Sequence, residues 1–127
     1  MRAVGILGMT ALLVAGCGET NGTTAGGGGA GGASSCLNDL PATCPSDAPG
    51  WANDVAGVIA SRCATCHVKG GAAADKPLTD HAEVFARKGT VLTQIHACKM
   101  PPEGATALTT TERVAIEAWL VCGAADN

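Results

Sequence analysis

An all-α fold of about four short helices is what this sequence predicts, and three observations carry it. Asp80 with Glu83, and Thr109 with Glu112, have the spacing of capping boxes. The segments beside them repeat apolar residues at helical intervals. No segment reads convincingly as a strand.

Taken in order, residues 51–63 fit a helix with Val55, Val58 and Ile59 on one face, while Ala56, Gly57 and Ala60 keep its surface small. Residues 69–77 read as loop from their Gly-Gly and Pro content. Asp80 and Glu83 then open a short helix expected to run through Arg87 and to end at Gly89. Val91, Leu92 and Ile95 suggest another short helix. Thr109 and Glu112 open the last one, whose apolar stripe is Ala115, Ile116, Trp119 and Leu120, with Gly123 placed to end it.

A chain of 127 residues has room for one small domain. It holds only three aromatic side chains, Trp51, Phe85 and Trp119, against 18 glycines. Such a chain is short of material for a core, so a covalent cofactor or disulfides are expected to add bulk and restraint. The formal charge of -3 and the lack of a Lys/Arg run leave nucleic-acid binding without electrostatic support.

The N-terminus reads as a targeting segment. Met1-Arg2 is a minimal positive region, and the apolar stretch over 3–15 is too short to span a bilayer but fits a signal-peptide core. It ends in Leu13-Val14-Ala15-Gly16-Cys17, which resembles a bacterial lipobox, so 1–16 is expected to be removed and Cys17 acylated. No twin-arginine pair occurs, which makes export of an unfolded chain the simpler route. The Gly/Thr/Ser-rich tract that follows cannot bury enough surface to fold. With Cys17 it forms an expected tether over 17–35, with an end-to-end distance of roughly 25 Å. The folded domain is expected over 36–127, anchored by lipid at the periplasmic side of a bacterial membrane. Gly18 offers no aspartate-type retention signal, which favours the outer membrane.

Cys63-Ala64-Thr65-Cys66-His67 is the strongest motif. Two thiols separated by two residues can add to the vinyl groups of one haem, and the adjacent histidine can ligate its iron. A redox dithiol is the first alternative, but no βαβ pattern surrounds the pair. Half of a zinc site is the second, but no further closely spaced Cys/His pair follows. An electron-shuttling iron also needs a sixth ligand. Met100, in Lys99-Met100-Pro101-Pro102, is the only methionine outside the leader, and the prolines after it stiffen its loop. A thioether favours reduced iron and a raised potential. His96 and His81 are the competing sixth ligands.

With these residues in view the chain resembles a class I c-type cytochrome: a helix before Cys-x-x-Cys-His, a Met-Pro-Pro loop and a final helix carrying Trp119. The resemblance spans about residues 51–123. It implies an all-α domain around one covalent haem c, held by Cys63, Cys66, His67 and Met100, with a partly exposed haem edge and no substrate chemistry. It also implies that the first and last helices cross at a steep angle, with Gly57 and Ala60 as the small surface and Trp119 as its bulky partner. The short interval from His67 to Met100 and the extra cysteines depart from the family pattern.

With Cys17 assigned to lipid and Cys63 and Cys66 to haem, Cys36, Cys44, Cys98 and Cys122 remain, an even number suited to two disulfides in an oxidising compartment. Of the three pairings, Cys36–Cys44 with Cys98–Cys122 is favoured, the second tying the Met100 loop to the last helix. A four-cysteine zinc site is the alternative. The expected role is therefore that of a monomeric electron carrier and not an enzyme, meeting redox donor and acceptor proteins from its membrane tether. A sensor or enzyme with displaceable Met100, and a permanently docked subunit of a larger oxidoreductase, are the competing roles.

Overall fold

The computed structural model describes residues 39–127. The expected signal peptide, Cys17, the tether and Cys36 lie outside the described residues. Helices make up the regular structure, and no strand occurs among the described residues.

Three helical segments, Trp51–Val55, Ala56–Val58 and Ile59–Cys63, run on from one another and are together called α1. The outer two are π-helical: the Ala56 amide donates to the Trp51 carbonyl, and the Ala64 amide to Ile59. Each wide turn inserts a residue and so rephases the faces of the helix. Helix α2 covers His81–Ala86, α3 Lys88–His96 and α4 Thr110–Val121.

The capping residues explain where these helices begin. Thr109 Oγ1 accepts from the Glu112 amide at 3.2 Å, and Glu112 Oε2 accepts from the Thr109 amide at 2.7 Å, so the expected box is complete. At α2 only half of it forms. Asp80 accepts from the Glu83 amide at 2.9 Å, but the Glu83 carboxylate turns to the Thr79 amide and hydroxyl instead. Gly89 does not end this helix, as the sequence suggested. The chain breaks at Arg87, with φ -114° and ψ 9°, and Gly89 lies in the first turn of α3. Gly123, at φ +92°, does sit just past the end of α4.

One core joins the four helices. Val55 and Ile59 come from α1, Val84 from α2, Val91 and Ile95 from α3, and Ile116, Trp119 and Leu120 from α4; Leu78, Leu108 and Ala124 close it from the loops. Side chains of this size contribute about 1.5–3 kcal/mol each when fully buried. Trp119 lies 5.3 Å from Trp51 and donates through Nε1 to the Ala125 carbonyl. Helix α4 packs against the first turn of α1 and against α3. Gly57 and Ala60 take no part in this packing. Both are exposed, and a Cβ at Gly57 would meet nothing within 4 Å. Val55 and Ile59 turn inward as the apolar pattern suggests, and the expected small-residue crossing at Gly57 and Ala60 is corrected.

The disulfides are also paired differently from the favoured scheme. Cys44 bonds to Cys122, 78 residues away, which excludes both Cys36–Cys44 and Cys98–Cys122. The Cys44 segment runs beside the end of α4, so closeness in sequence to Cys36 does not decide its partner. Cys66 and Cys98 are each disulfide-bonded as well.

Candidate functional site: a cavity between the Cys-x-x-Cys-His turn and the Met100 loop

The end of α1 turns directly into the motif. The amides of Cys66 and His67 both donate to the Cys63 carbonyl, at 3.1 and 2.9 Å. Two further backbone bonds fix the turn from the loop that follows: Ala73 N to Cys66 O at 3.0 Å, and Leu78 N to His67 O at 2.9 Å. Gly71 makes this close return possible, since a Cβ there would collide with the Cys66 carbonyl.

His67 is oriented by a contact that no sequence pattern reveals. Its Nδ1 lies 2.7 Å from the Lys76 carbonyl oxygen. A carbonyl only accepts, so Nδ1 carries a proton, and in the neutral ring that leaves the lone pair a metal requires on Nε2. A ligating histidine is commonly held in this way through its other nitrogen.

The Met100 loop leaves the end of α3. The Gln94 carbonyl accepts from both the Lys99 amide, at 2.9 Å, and the Met100 amide, at 3.2 Å. Met100 stays 37% exposed, and this turn fixes its backbone.

A cavity of about 760 Å³ lies between these parts, within the range of roughly 300–1,000 Å³ usual for cofactor pockets. Cys63, Cys66, His67 and Met100 all line it. Leu78, Val91, Ile95 and Leu108 give it apolar walls, while Arg62, Lys76, Arg87 and Lys99 add cationic groups. Neither competing histidine is on its wall. His81 packs among Trp51, Phe85 and Trp119 and bonds to the Ala124 carbonyl at 2.9 Å. His96 turns to Glu117, with Nδ1 3.3 Å from Oε1.

Among the described cysteines Cys63 alone keeps a thiol, and burial pushes it up to about 11 from an ordinary 9.0. The Cys66 sulfur is disulfide-bonded. Thioether formation adds an S–H across a vinyl group, so attachment at Cys66 requires that sulfur as a thiol. The preceding residue, Arg62, reaches Glu112 Oε1 through Nε at 3.1 Å and Nη2 at 2.8 Å. Burial works to raise the Glu112 pKa, but the Thr109 amide, the Arg62 guanidinium and the Thr109 hydroxyl outweigh it and leave the carboxyl below its ordinary value. One carboxylate thus caps α4 and ties it to the Cys-x-x-Cys-His turn.

The residues fit a haem once the Cys66 disulfide is opened: two cysteines, an oriented histidine and a thioether then face one largely apolar cavity of suitable size. No cluster of three or more His, Cys, Asp or Glu side chains able to hold a bare metal ion occurs among the described residues. The sequence did not single out Arg62, Lys76, Gln94 or Glu112 for this site. All four act through backbone groups or through contacts distant in the chain. Comparison with family models, with curated proteins and with solved structures returns no match.

Proposed function

We propose that this protein is a membrane-tethered monohaem c-type cytochrome that carries electrons, with haem held by Cys63 and Cys66 and iron ligated by His67 and Met100. The observation that carries the reading is that these four residues, three from the start of a 38-residue span and one from its end, line one cavity. Haem c supplies one-electron chemistry at a potential set by its axial ligands and surroundings. The chain's own part is to orient. The Lys76 carbonyl orients His67, the Gln94 carbonyl holds the Met100 turn, and Leu78, Val91, Ile95 and Leu108 offer the ring an apolar face. Ligands kept in place in both oxidation states leave little to rearrange on electron arrival. The expected Cys17 anchor and tether would let the domain meet donor and acceptor at a membrane, through the weak docking usual for redox partners.

The test is an optical spectrum of the protein produced in a periplasm with haem-attachment machinery. Wild type should show covalent haem and the weak far-red sulfur-to-iron charge-transfer band, and Met100→Ala should lose that band. Covalent haem without the band in wild type would remove Met100 as ligand. A wild type without covalent haem would end the proposal. The exposure of Met100 favours one second reading, a small-ligand sensor with displaceable methionine. Rapid carbon monoxide binding to the reduced wild type would support it over the carrier.

A further inference from the structure

Only two charged side chains are buried among the described residues, Arg113 at 5% exposure and Glu117 at 2%, and both lie on α4. Burying charge costs several kcal/mol per ion unless partners compensate. The two do not form an ion pair with each other. Both instead grip the last turn of α3: Arg113 Nη1 donates to the Ile95 carbonyl, and Glu117 Oε1 meets His96 Nδ1 at 3.3 Å. Arg113 Nε is buried with no partner at all.

That turn is where the Met100 loop is set. The Ile95 carbonyl gripped by Arg113 also accepts the Cys98 amide, at 3.0 Å. Cys98, which is also disulfide-bonded, adopts φ +53°, a left-handed conformation that a non-glycine residue keeps only when its surroundings impose it. The neighbouring Gln94 carbonyl accepts Lys99 and Met100. Met100 itself is 37% exposed, so burial alone does not fix it. An apolar residue at 113 would fill the space without fixing the Ile95 carbonyl, whereas a guanidinium both fills it and sets the direction of that carbonyl. We propose that Arg113, seconded by Glu117, is a positioning residue for Met100: it holds the turn over 94–100 in the one arrangement that presents the thioether to the cavity. The inference rests on the cytochrome reading above and names the device that keeps its sixth ligand in place.

The experiment uses the haem-loaded protein and imidazole as a probe that competes with Met100 for ferric iron. Arg113→Met should bind imidazole about tenfold more tightly than wild type, within the usual range of coupling between sites, and should show a weakened far-red band at unchanged haem content. Arg113→Lys, which keeps a charge and a donor, should recover most of the difference. Glu117→Gln should shift in the same direction by less. A structural role alone would lower the melting temperature but leave imidazole affinity at 25 °C where it was. Should Arg113→Met fail to fold, Glu117→Gln decides alone. Wild-type affinity in every folded variant overturns the inference while leaving the cytochrome reading intact. A wild type lacking haem or its far-red band overturns both.

Discussion

At the scale of the residue, Cys63 and Cys66 differ although the motif treats them alike. Cys63 is the only thiol among the described cysteines, and burial holds its proton on until about pH 11. Its folded-state value is raised above the ordinary 9.0, so the associated stability is fully present below about pH 9 and is lost as pH rises through 11. The haem-free protein should therefore destabilise across that window, and Cys63→Ala should flatten the decline; denaturant melts at pH 8, 9.5 and 11 would show it. Alkylation of Cys63 at neutral pH should be slow for the same reason, since the thiolate is the nucleophile. Gly71 makes the second residue-scale case. Its Cβ would meet the Cys66 backbone, which has no room to yield, so Gly71→Ala should destabilise by about 1–3 kcal/mol. Gly89→Ala should do the opposite. At that helical position a Cβ meets nothing, and the change should stabilise by about 0.5–1 kcal/mol. Thermal melts of the two variants beside wild type test both signs at once.

At the scale of the element, Glu112 joins local and distant structure. It completes the capping box with Thr109 and receives Arg62 from the end of α1. Glu112→Gln keeps an acceptor for the cap but gives up the charge. It should lower stability by about 1 kcal/mol at pH 7. Because the folded-state pKa is depressed, that difference should be present above pH 4.5 and vanish as pH falls through the lowered value; paired melts at pH 7 and pH 3 check it. Much of this level was legible in the sequence, because caps and apolar periodicity are local signals. Thr109 with Glu112, the stripe of Ile116, Trp119 and Leu120, and Gly123 past the helix end all stand where their chemistry placed them. The misreadings come from geometry that is not local. The resemblance implies a packing role for Gly57, but Gly57 is exposed, and the inward residues are Val55 and Ile59 of the apolar face visible in the sequence. Gly89 was read as a stop, but the Arg87 break precedes it. The candidate site divides in the same way. Residue types and spacing pointed to Cys63, Cys66, His67 and Met100, and the fold brings these to one cavity. The Lys76 and Gln94 carbonyls that orient two of them are backbone atoms, which every residue carries, so no sequence pattern marks them.

At the scale of the whole molecule, the domain is closed by contacts between its two ends. The Ala52 amide donates to the Asn127 carbonyl at 2.8 Å, and the Trp51 amide to Asn127 Oδ1 at 3.1 Å, so residues at the far end of the chain satisfy the open amides at the start of α1. Cys44–Cys122 reinforces the same closure. It constrains a loop of 78 residues, worth about 4–5 kcal/mol on the chain-entropy account. Its position has a functional corollary. The bond lies at the end where Trp51, His81 and Trp119 pack together, whereas the cavity lies between the Cys-x-x-Cys-His turn and the Met100 loop. A staple at Cys98–Cys122 would have coupled disulfide state to methionine ligation directly; the Cys44–Cys122 bond does not touch that loop. Removing it should therefore lower global stability without altering the site. In haem-loaded Cys44→Ser/Cys122→Ser protein, the melting temperature should fall by more than about 10 °C, while the far-red band and imidazole affinity at 25 °C remain those of wild type. Loss of the band with the fold still intact would mean that closure of the chain ends, and not the α3–α4 contact alone, keeps Met100 in register.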